Sequence, residues 1–429
     1  MGGPKSSVPA DVAMAFGRDV YYGHGKIEIL PKVVVKGVED IAIAFTPGVG
    51  HVVRAISEKP ELLHEQTAKD NLIALVTDGT AVLGLGDVGP RAGMPVMEGK
   101  SVMFKLLAGI DCMPLCLDVT SGDELVSIIK ALEPTFGAFN LEDVAAPRCF
   151  EVMEQLSGAL PVPIMHDDQY GTATAITAAL INALKVLDRN PADQRAVICG
   201  CGAAGSACVE MLLLLGVEDI VVVDQAGILS RDQELTHAHW RRVAEQTNKS
   251  CLKGGLAEAM AGADLFIGLS VGGIVTQDMV RSMNSDPIVF SLANPVPEIM
   301  PDAASAAGAA LVASGRFDFP NHCNNVLAFP SLLRGALDTN AKSVSPNMCL
   351  AAAHAIANDV PEDELSVSNI SPSPMSDTLF PDVAEATARA AIEEGLARKV
   401  PEVGAVAANT RRLRGLAHER QACLSDLGG

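Results

Sequence analysis

Two acidic pairs are the residues of this sequence best suited to hold a metal ion. Glu142-Asp143 and Asp167-Asp168 each follow a short apolar stretch typical of a buried strand. If the two strands are neighbours, three or four carboxylates converge, and such a group repels itself unless a divalent cation joins it. Ligation by oxygen alone favours Mg²⁺ or Mn²⁺ over zinc. For either pair alone the simpler interpretation is a solvated helix N-cap, because Asp143 and Asp168 each lie near a predicted helix start.

Lys100 is the candidate general base. It follows Gly99 at the start of a predicted apolar helix. A lysine beside a metal ion can be held neutral and accept a proton, because the nearby cation lowers its pKa. The alternative is a lysine at a helix end whose charged group reaches solvent. Lys105 is the competing candidate for the base.

A glycine-rich segment, Gly200-Cys201-Gly202-Ala203-Ala204-Gly205, is typical of dinucleotide binding. It lies between a predicted strand at 196–199 and a predicted helix at 203–215, and the next strand, predicted at 220–224, ends in an acidic residue. This order is that of the Rossmann βαβ unit, in which the helix N-terminus faces the pyrophosphate with free N–H groups. We therefore predict that the pyrophosphate of NAD or NADP is held by Gly200, Gly202, Ala203, Ala204 and Gly205.

Asp224 ends the second strand of that unit and bears on the choice of nucleotide. A carboxylate at this position accepts hydrogen bonds from the ribose 2′-OH and repels a 2′-phosphate, which favours NAD over NADP. An exposed aspartate in a turn is the alternative. Arg231 is near enough in sequence to leave NADP open.

These residues need a scaffold of buried parallel strands. Apolar runs that end in polar turns occur at 72–77, 115–118, 136–140 and 162–165, and a second series of strands and helices begins at 196. Open α/β sheets bind ligands at the carboxyl ends of their strands, where the polar clusters fall. We predict an α/β protein with a parallel-sheet substrate and metal domain at 1–170, a Rossmann-type NAD(P) domain at 171–340, and C-terminal helices at 341–429 that pack on the first domain.

Composition limits the classes of partner. The 429 residues carry a formal charge of −20, which disfavours nucleic acid as a partner. No apolar run approaches the roughly 20 residues that span a bilayer, so we expect no membrane association and a cytoplasmic location. The ten cysteines are scattered and form no Cys-x-x-Cys pair, so neither a disulfide framework nor a zinc site is predicted.

The chain resembles the compact prokaryotic malic enzymes from about Tyr21 to at least Leu350. The matching stretches occur in the same order at 25–28, 46–49, 77–86, 95–100, 140–143, 166–169, 293–298 and 324–330. The resemblance implies that NAD(P)⁺ oxidises malate or a substituted malate, a 2-hydroxy diacid, which then loses CO₂ with the help of Mg²⁺ or Mn²⁺. The products are pyruvate or another 2-keto acid. It also implies a homodimer or a higher homo-oligomer.

The resemblance also implies roles for individual residues. By position, Glu142, Asp143 and Asp168 are metal ligands, Asp167 is a supporting carboxylate, and Lys100 is the base. Asn294 matches an asparagine at the nicotinamide. The substrate-binding positions are Thr46, Gly48 and Asn325.

Phe45 departs from the family, whose members usually have a tyrosine there that protonates the enol. Loss of a general acid typically costs about 10² to 10⁴ in rate. Tyr170 stands where the family commonly has histidine, and we predict that it takes part of the acid's role or recognises a different substrate. A packing change at this loop is the alternative. Water or Lys100 can also supply the proton.

Three other functions remain open on the sequence. A non-oxidative decarboxylase that retains NAD, as in the related malolactic enzymes, has the same binding residues. A catalytically silent nucleotide-binding regulatory protein is suggested by Phe45, although such a protein has no need for the acidic cluster. A Rossmann amino-acid dehydrogenase requires no metal.

Overall fold

The computed structural model describes residues 25–82, 84–316 and 318–427, so the start of the resemblance near Tyr21 lies outside it. A first parallel sheet contains β1 (Leu72–Thr77), β2 (Asp111–Cys116), β3 (Ala138–Leu141) and β4 (Ile164–His166). The strand order is β2-β1-β3-β4. β1 has the predicted limits. β2 lies four residues earlier than predicted at its start, and as an edge strand it accommodates Pro114, which cannot donate to a ladder.

Helices flank this sheet, and one of them carries the candidate base. They are α1 (Val38–Ala44), α2 (Val49–Glu58), α3 (Leu63–Gln66), α4 (Gly89–Ala108), α5 (Gly122–Leu132) and α6 (Arg148–Leu156). The prediction that Lys100 begins a helix is wrong, because α4 starts eleven residues earlier and continues through Pro95. Lys100 therefore lies within a helix, and its position is set by packing along the whole of α4.

Helix α7 (Thr172–Val186) leads to the second sheet. Its strands are β5 (Arg195–Cys199), β6 (Asp219–Asp224), β7 (Gly227–Ile228), β8 (Leu265–Gly268), β9 (Ile288–Ser291) and β10 (Leu311–Ser314), in the order β10-β9-β8-β5-β6-β7. Only the β6–β7 pair is antiparallel among the described strands. The helices of this unit are α8 (Ala203–Leu215), α9 (Ala238–Gln246), α10 (Leu256–Met260), α11 (Gln277–Arg281) and α12 (Pro301–Ala306).

The C-terminal helices contact both units. They are α13 (Phe329–Asp338), α14 (Pro346–Asn358), α15 (Leu379–Glu393) and α16 (Ala405–Leu427). Helices α13 and α16 pack on α4, whereas α14 packs on α7 and α8, so the packing is wider than the predicted contact with the first domain. No helix in the described part of the chain is long and apolar enough to cross a membrane.

Candidate active site

The two predicted acidic pairs meet at the carboxyl ends of β3 and β4. These strands are parallel neighbours, and their register pairs Leu141 with His166. Carboxylate oxygens of Glu142, Asp143 and Asp168 lie within 4.8 Å of one another, and we call these residues the acidic triad. The main-chain N–H of Asp143 donates to Asp168 at 2.8 Å. Helix α6 begins only at residue 148, so the N-cap interpretation of Asp143 is wrong.

Burial and mutual repulsion dominate the electrostatics of this cluster. Burial raises the pKa of Glu142 well above its usual value, Lys100 opposes this, and the charge of Asp168 adds to it. Burial also acts to raise the pKa of Asp168, but the contact with His166, 3.0 Å from Nε2 to Oδ2, brings that pKa below its ordinary value. The triad is thus a buried set of oxygen donors with excess negative charge. Such residues fit Mg²⁺ or Mn²⁺.

Lys100 enters the cluster from α4. Its ammonium contacts the carboxylates of Glu142 and Asp167 and lies 4.5 Å from the centroid of the Phe329 ring. Burial alone lowers the pKa of Lys100, but these carboxylates more than offset it and raise the pKa above its usual value. With 9% of its side chain exposed, Lys100 is not the predicted alternative of a solvated lysine. Lys105 instead binds Asp111 at 2.7 Å.

Asp167 joins Lys100 to the predicted substrate residue Asn325. Asp167 is fully buried, and its Oδ2 also accepts a hydrogen bond of 2.6 Å from Asn325 Nδ2. It opens a single π-helical turn, Asp167–Gly171. A Cβ on Gly171 would lie 1.6 Å from Asp167 Oδ1, so only glycine leaves room for this carboxylate. The site therefore combines a lysine, its carboxylate partner and an amide beside the triad.

The glycine-rich turn has the geometry that a pyrophosphate needs. Gly200 has a φ of +102°, and a Cβ on Gly205 would lie 1.8 Å from the carbonyl oxygen of Gly200. At Gly202 a Cβ would meet no atom within 4 Å, so the backbone faces open space. Ala203 and Ala204 form the first turn of α8, whose free N–H groups face the same space.

Asp224 lies beside the glycine-rich turn. Its Oδ2 accepts from the main-chain N–H of Cys201 at 2.5 Å, and its Oδ1 accepts from that of Gln225 at 2.7 Å. The guanidinium of Arg231 donates instead to the carbonyl of Thr247, at 3.5 Å. The carboxylate, rather than the arginine, therefore lies beside the glycine-rich turn.

Asn294 lies where the two units meet, because a Cβ on Gly84 of the first unit would lie 2.4 Å from the Asn294 carbonyl oxygen. The sequence analysis gave no role to Glu298, which is fully buried nearby. Its carboxylate accepts from the N–H groups of Ser270 and Ala293 at 2.9 and 3.1 Å. Glu298 thus holds together the loops after β8 and β9. Two signals in the sequence pointed to it: it ends the family-matching stretch 293–298, and it is the acidic residue of an otherwise uncharged loop.

Three predicted residues do not join the cluster. The hydroxyl of Tyr170 donates to Glu210 on α8 at 2.8 Å, and burial raises its pKa, so this proton is engaged away from Lys100. This placement contradicts the prediction that Tyr170 serves as the acid. Thr46 is exposed and Gly48 partly so, on a segment in which α1 and α2 have no buried residue.

Comparison with known proteins identifies the family. The model of the malic enzyme N-terminal domain matches residues 24–157, and that of the malic enzyme NAD-binding domain matches residues 169–392. The chain belongs to the malic enzyme family. The predicted α/β fold with a parallel-sheet domain and a Rossmann-like NAD-binding domain is confirmed, as is the prediction of an NAD(P)-dependent oxidoreductase. Oxidative decarboxylation of malate to pyruvate is the activity of this family.

Several relatives are similar over most of their length. The chain is 48% identical to the NAD-dependent malic enzyme of Geobacillus stearothermophilus, over 87% of this chain and 78% of that protein. It is 46% identical to the bifunctional malic/malolactic enzyme of Bacillus subtilis, over 91% and 95% of the two chains. The crystal structure of malic enzyme from Pyrococcus horikoshii has a TM-score of 0.92 at 40% identity, with 97% and 98% covered.

Proposed function

We propose that this malic-type oxidoreductase acts on malate or a closely related 2-hydroxy diacid, with Lys100 as the base and the acidic triad as the metal site. The observation that carries the proposal is the buried contact of Lys100 with Asp167 and Glu142, directly beside the triad. Ligated by the triad, a divalent cation supplies a Lewis acid that stabilises negative charge developing on substrate oxygens. NAD(P)⁺ in the second unit supplies the hydride acceptor.

With a divalent cation at the triad offsetting the carboxylate charge that raises the pKa of Lys100, the neutral amine would be positioned to accept the proton of the substrate hydroxyl as the hydride departs. Asp167 orients the Lys100 amine and stabilises its protonated form, and Asn325 fixes Asp167 through a 2.6 Å hydrogen bond. The Asn325 amide has a second N–H, which can donate to a substrate carboxylate. This arrangement keeps the proton inside a buried cluster, where it is available for the second half of the reaction.

The enolate that remains after loss of CO₂ needs a proton on carbon. Phe45 stands where the family usually has tyrosine and has no proton to give. Because the Tyr170 hydroxyl is held by Glu210, we assign the return of the proton to Lys100. The same nitrogen thus takes the hydroxyl proton during oxidation and delivers it to the enolate carbon, which gives the 2-keto acid and balances the protons over the two steps.

The cofactor in this proposal is NAD⁺. Asp224 presents a carboxylate beside the glycine-rich turn, where it accepts from a ribose 2′-OH and repels a 2′-phosphate. Relatives of both kinds exist, since the chain is 41% identical to an NAD-dependent and 40% identical to an NADP-dependent malic enzyme of Rhizobium meliloti.

The working form in this proposal is a homodimer or a higher homo-oligomer. Large apolar side chains of the segment 27–53 are exposed, among them Ile29 at 83%, Val38 at 81% and Phe45 at 69%. So many exposed apolar side chains along one segment are typical of an interface. A second copy that covers this surface would also bring Thr46 and Gly48, which lie on the same segment, close to a substrate site. Light scattering should give at least twice the mass of one chain.

A malolactic reaction is the second candidate, favoured by the 46% identity to a relative named a bifunctional malic/malolactic enzyme. The deciding experiment is a panel of 2-hydroxy diacids with NAD⁺ or NADP⁺, with and without Mn²⁺. Oxidative turnover of malate raises the absorbance at 340 nm in step with CO₂ release. Release of CO₂ and lactate without that rise contradicts the oxidative proposal, and activity that survives complete chelation contradicts the metal site.

A further inference from the structure

Tyr170 and Glu210 form a hydrogen bond that connects the two units of the chain. The hydroxyl of Tyr170 donates to the carboxylate of Glu210 at 2.8 Å. Tyr170 belongs to the Asp167–Gly171 turn, two residues after the triad member Asp168. Glu210 belongs to α8, seven residues after the helix begins at the glycine-rich turn. Seven residues are two helical turns, about 10 Å of rigid rod.

Beside this bond the two units are separated by a crevice of about 510 Å³, lined by Met153 of α6 and by residues of α8 and α9. The other described contacts across it, Phe150 with His239 at 4.5 Å and Glu154 with Arg242 at 3.9 Å, join α6 to α9 and involve no triad residue. The Asp167–Gly171 turn, which carries Asp168, also packs directly on α8, and the Tyr170–Glu210 bond is the described side-chain hydrogen bond between the two.

The ends of this connection are themselves fixed. The carbonyl of Tyr170 accepts from Thr174 at 2.6 Å, and its ring packs on the main hydrophobic core. Because Asp168 and Tyr170 belong to one packed turn, a shift of Asp168 towards a cation would carry the turn, and with it Tyr170, relative to the carboxylate of Glu210. Because α8 is a continuous helix, movement at Glu210 is transmitted to the N–H groups at its N-terminus.

We propose that the Tyr170–Glu210 hydrogen bond couples metal binding at the acidic triad to dinucleotide binding at the glycine-rich turn. Each ligand then tightens the binding of the other by the same factor, as thermodynamic linkage requires. Tyr170 is in this role a positioning residue. The inference rests on the triad being the metal site, as proposed above.

The single tryptophan of the chain supplies the measurement. Trp240 follows His239, whose Nε2 contacts the carbonyl of Cys201 in the glycine-rich turn at 3.1 Å. Quenching of Trp240 by NADH therefore reports dinucleotide binding without turnover. We measure the dissociation constant of NADH with and without saturating Mn²⁺, and that of Mn²⁺ with and without NADH by calorimetry. The expected coupling in the unmodified protein is about 5-fold to 20-fold, near the lower end of usual allosteric coupling.

Tyr170→Phe removes the hydroxyl and keeps the ring, and should bring this factor close to one. Glu210→Gln keeps an oxygen that accepts from Tyr170 and should retain most of the coupling factor. Glu210→Met removes that acceptor and should lower the factor as Tyr170→Phe does. It serves as the second test if Tyr170→Phe does not fold. Two results overturn the coupling alone. One is a loss of NADH affinity in the variants that is the same with and without Mn²⁺ and leaves a coupling factor like that of the unmodified protein. The other is an unchanged coupling factor in both Tyr170→Phe and Glu210→Met. No binding of Mn²⁺ by the unmodified protein overturns the metal site as well.

Discussion

Neutralising one member of the acidic triad should abolish the response to metal without weakening the metal-free protein. The variant is Glu142→Gln, which keeps the size of the side chain and removes its charge. Most substitutions of buried polar residues lower the stability of a protein, whether or not a metal ion is bound. This one should not, because the charge it removes is repelled by its neighbours.

The size of that repulsion follows from the geometry. Triad oxygens lie within 4.8 Å of one another, and two unit charges at that distance repel by about 3.5 kcal/mol at an effective dielectric constant of about 20. Glu142→Gln removes two of the three pairs, a gross relief of about 7 kcal/mol. Loss of the attraction to Lys100 offsets a large part of this relief. At a contact distance of about 3 Å the same formula gives about 5.5 kcal/mol for that lost attraction, so the two effects nearly cancel and the metal-free variant should melt close to the temperature of the unmodified protein.

With Mn²⁺ present, the unmodified protein should melt at a higher temperature than Glu142→Gln. A cation present at 100 times its dissociation constant stabilises the folded state by about 2.7 kcal/mol. At about 2 °C per kcal/mol for a large domain, the melting temperature rises by about 5 °C. Glu142→Gln should show almost none of this rise.

Differential scanning calorimetry with EDTA or with Mn²⁺ measures both effects. The matched control is Glu151→Gln, at an exposed position on α6, which should keep the full response. Absence of any Mn²⁺ effect in the unmodified protein, or a full effect in Glu142→Gln, refutes the assignment of the triad. A large loss of stability in the metal-free variant refutes the electrostatic argument.

Four further outcomes are expected. Lys100→Met should lower kcat/KM for malate by about 10² to 10⁴ while NADH still quenches Trp240, since only proton transfer is lost. Asp224→Ser should reduce the preference for NAD⁺ over NADP⁺, measured at 340 nm, by about 10²-fold, because a carboxylate and a phosphate about 5 Å apart repel by about 3 kcal/mol. Glu298→Ala should lower the melting temperature and raise KM for NAD⁺, because its buried N–H donors lose their acceptor at about 1 to 3 kcal/mol each. Phe45→Tyr should raise kcat several-fold if position 45 reaches the reacting carbon, and an unchanged kcat shows that Lys100 alone meets the need for a proton.

Local features of the sequence determined much of the second unit. The helix after the glycine-rich turn has the predicted limits 203–215, and β6 ends at Asp224 as predicted. The start of the helix follows from interactions over a few residues, namely the positive φ of Gly200 and the close approach of Gly205 to the carbonyl of Gly200. The convergence of the two acidic pairs was also predictable, because parallel neighbouring strands end at the same edge of a sheet.

Only the tertiary structure decided which side chains meet across long separations. Asn325 and Asp167 are 158 residues apart, and Tyr170 and Glu210 are 40 apart. These partners depend on the angle at which a turn or a helix packs, which periodicity does not specify. The same reason explains why Tyr170, predicted to take part of the acid's role, instead connects the turn that carries Asp168 to the helix of the glycine-rich turn. Side-chain direction from a buried turn is set by the surrounding core, whereas the turn itself is set by its glycine.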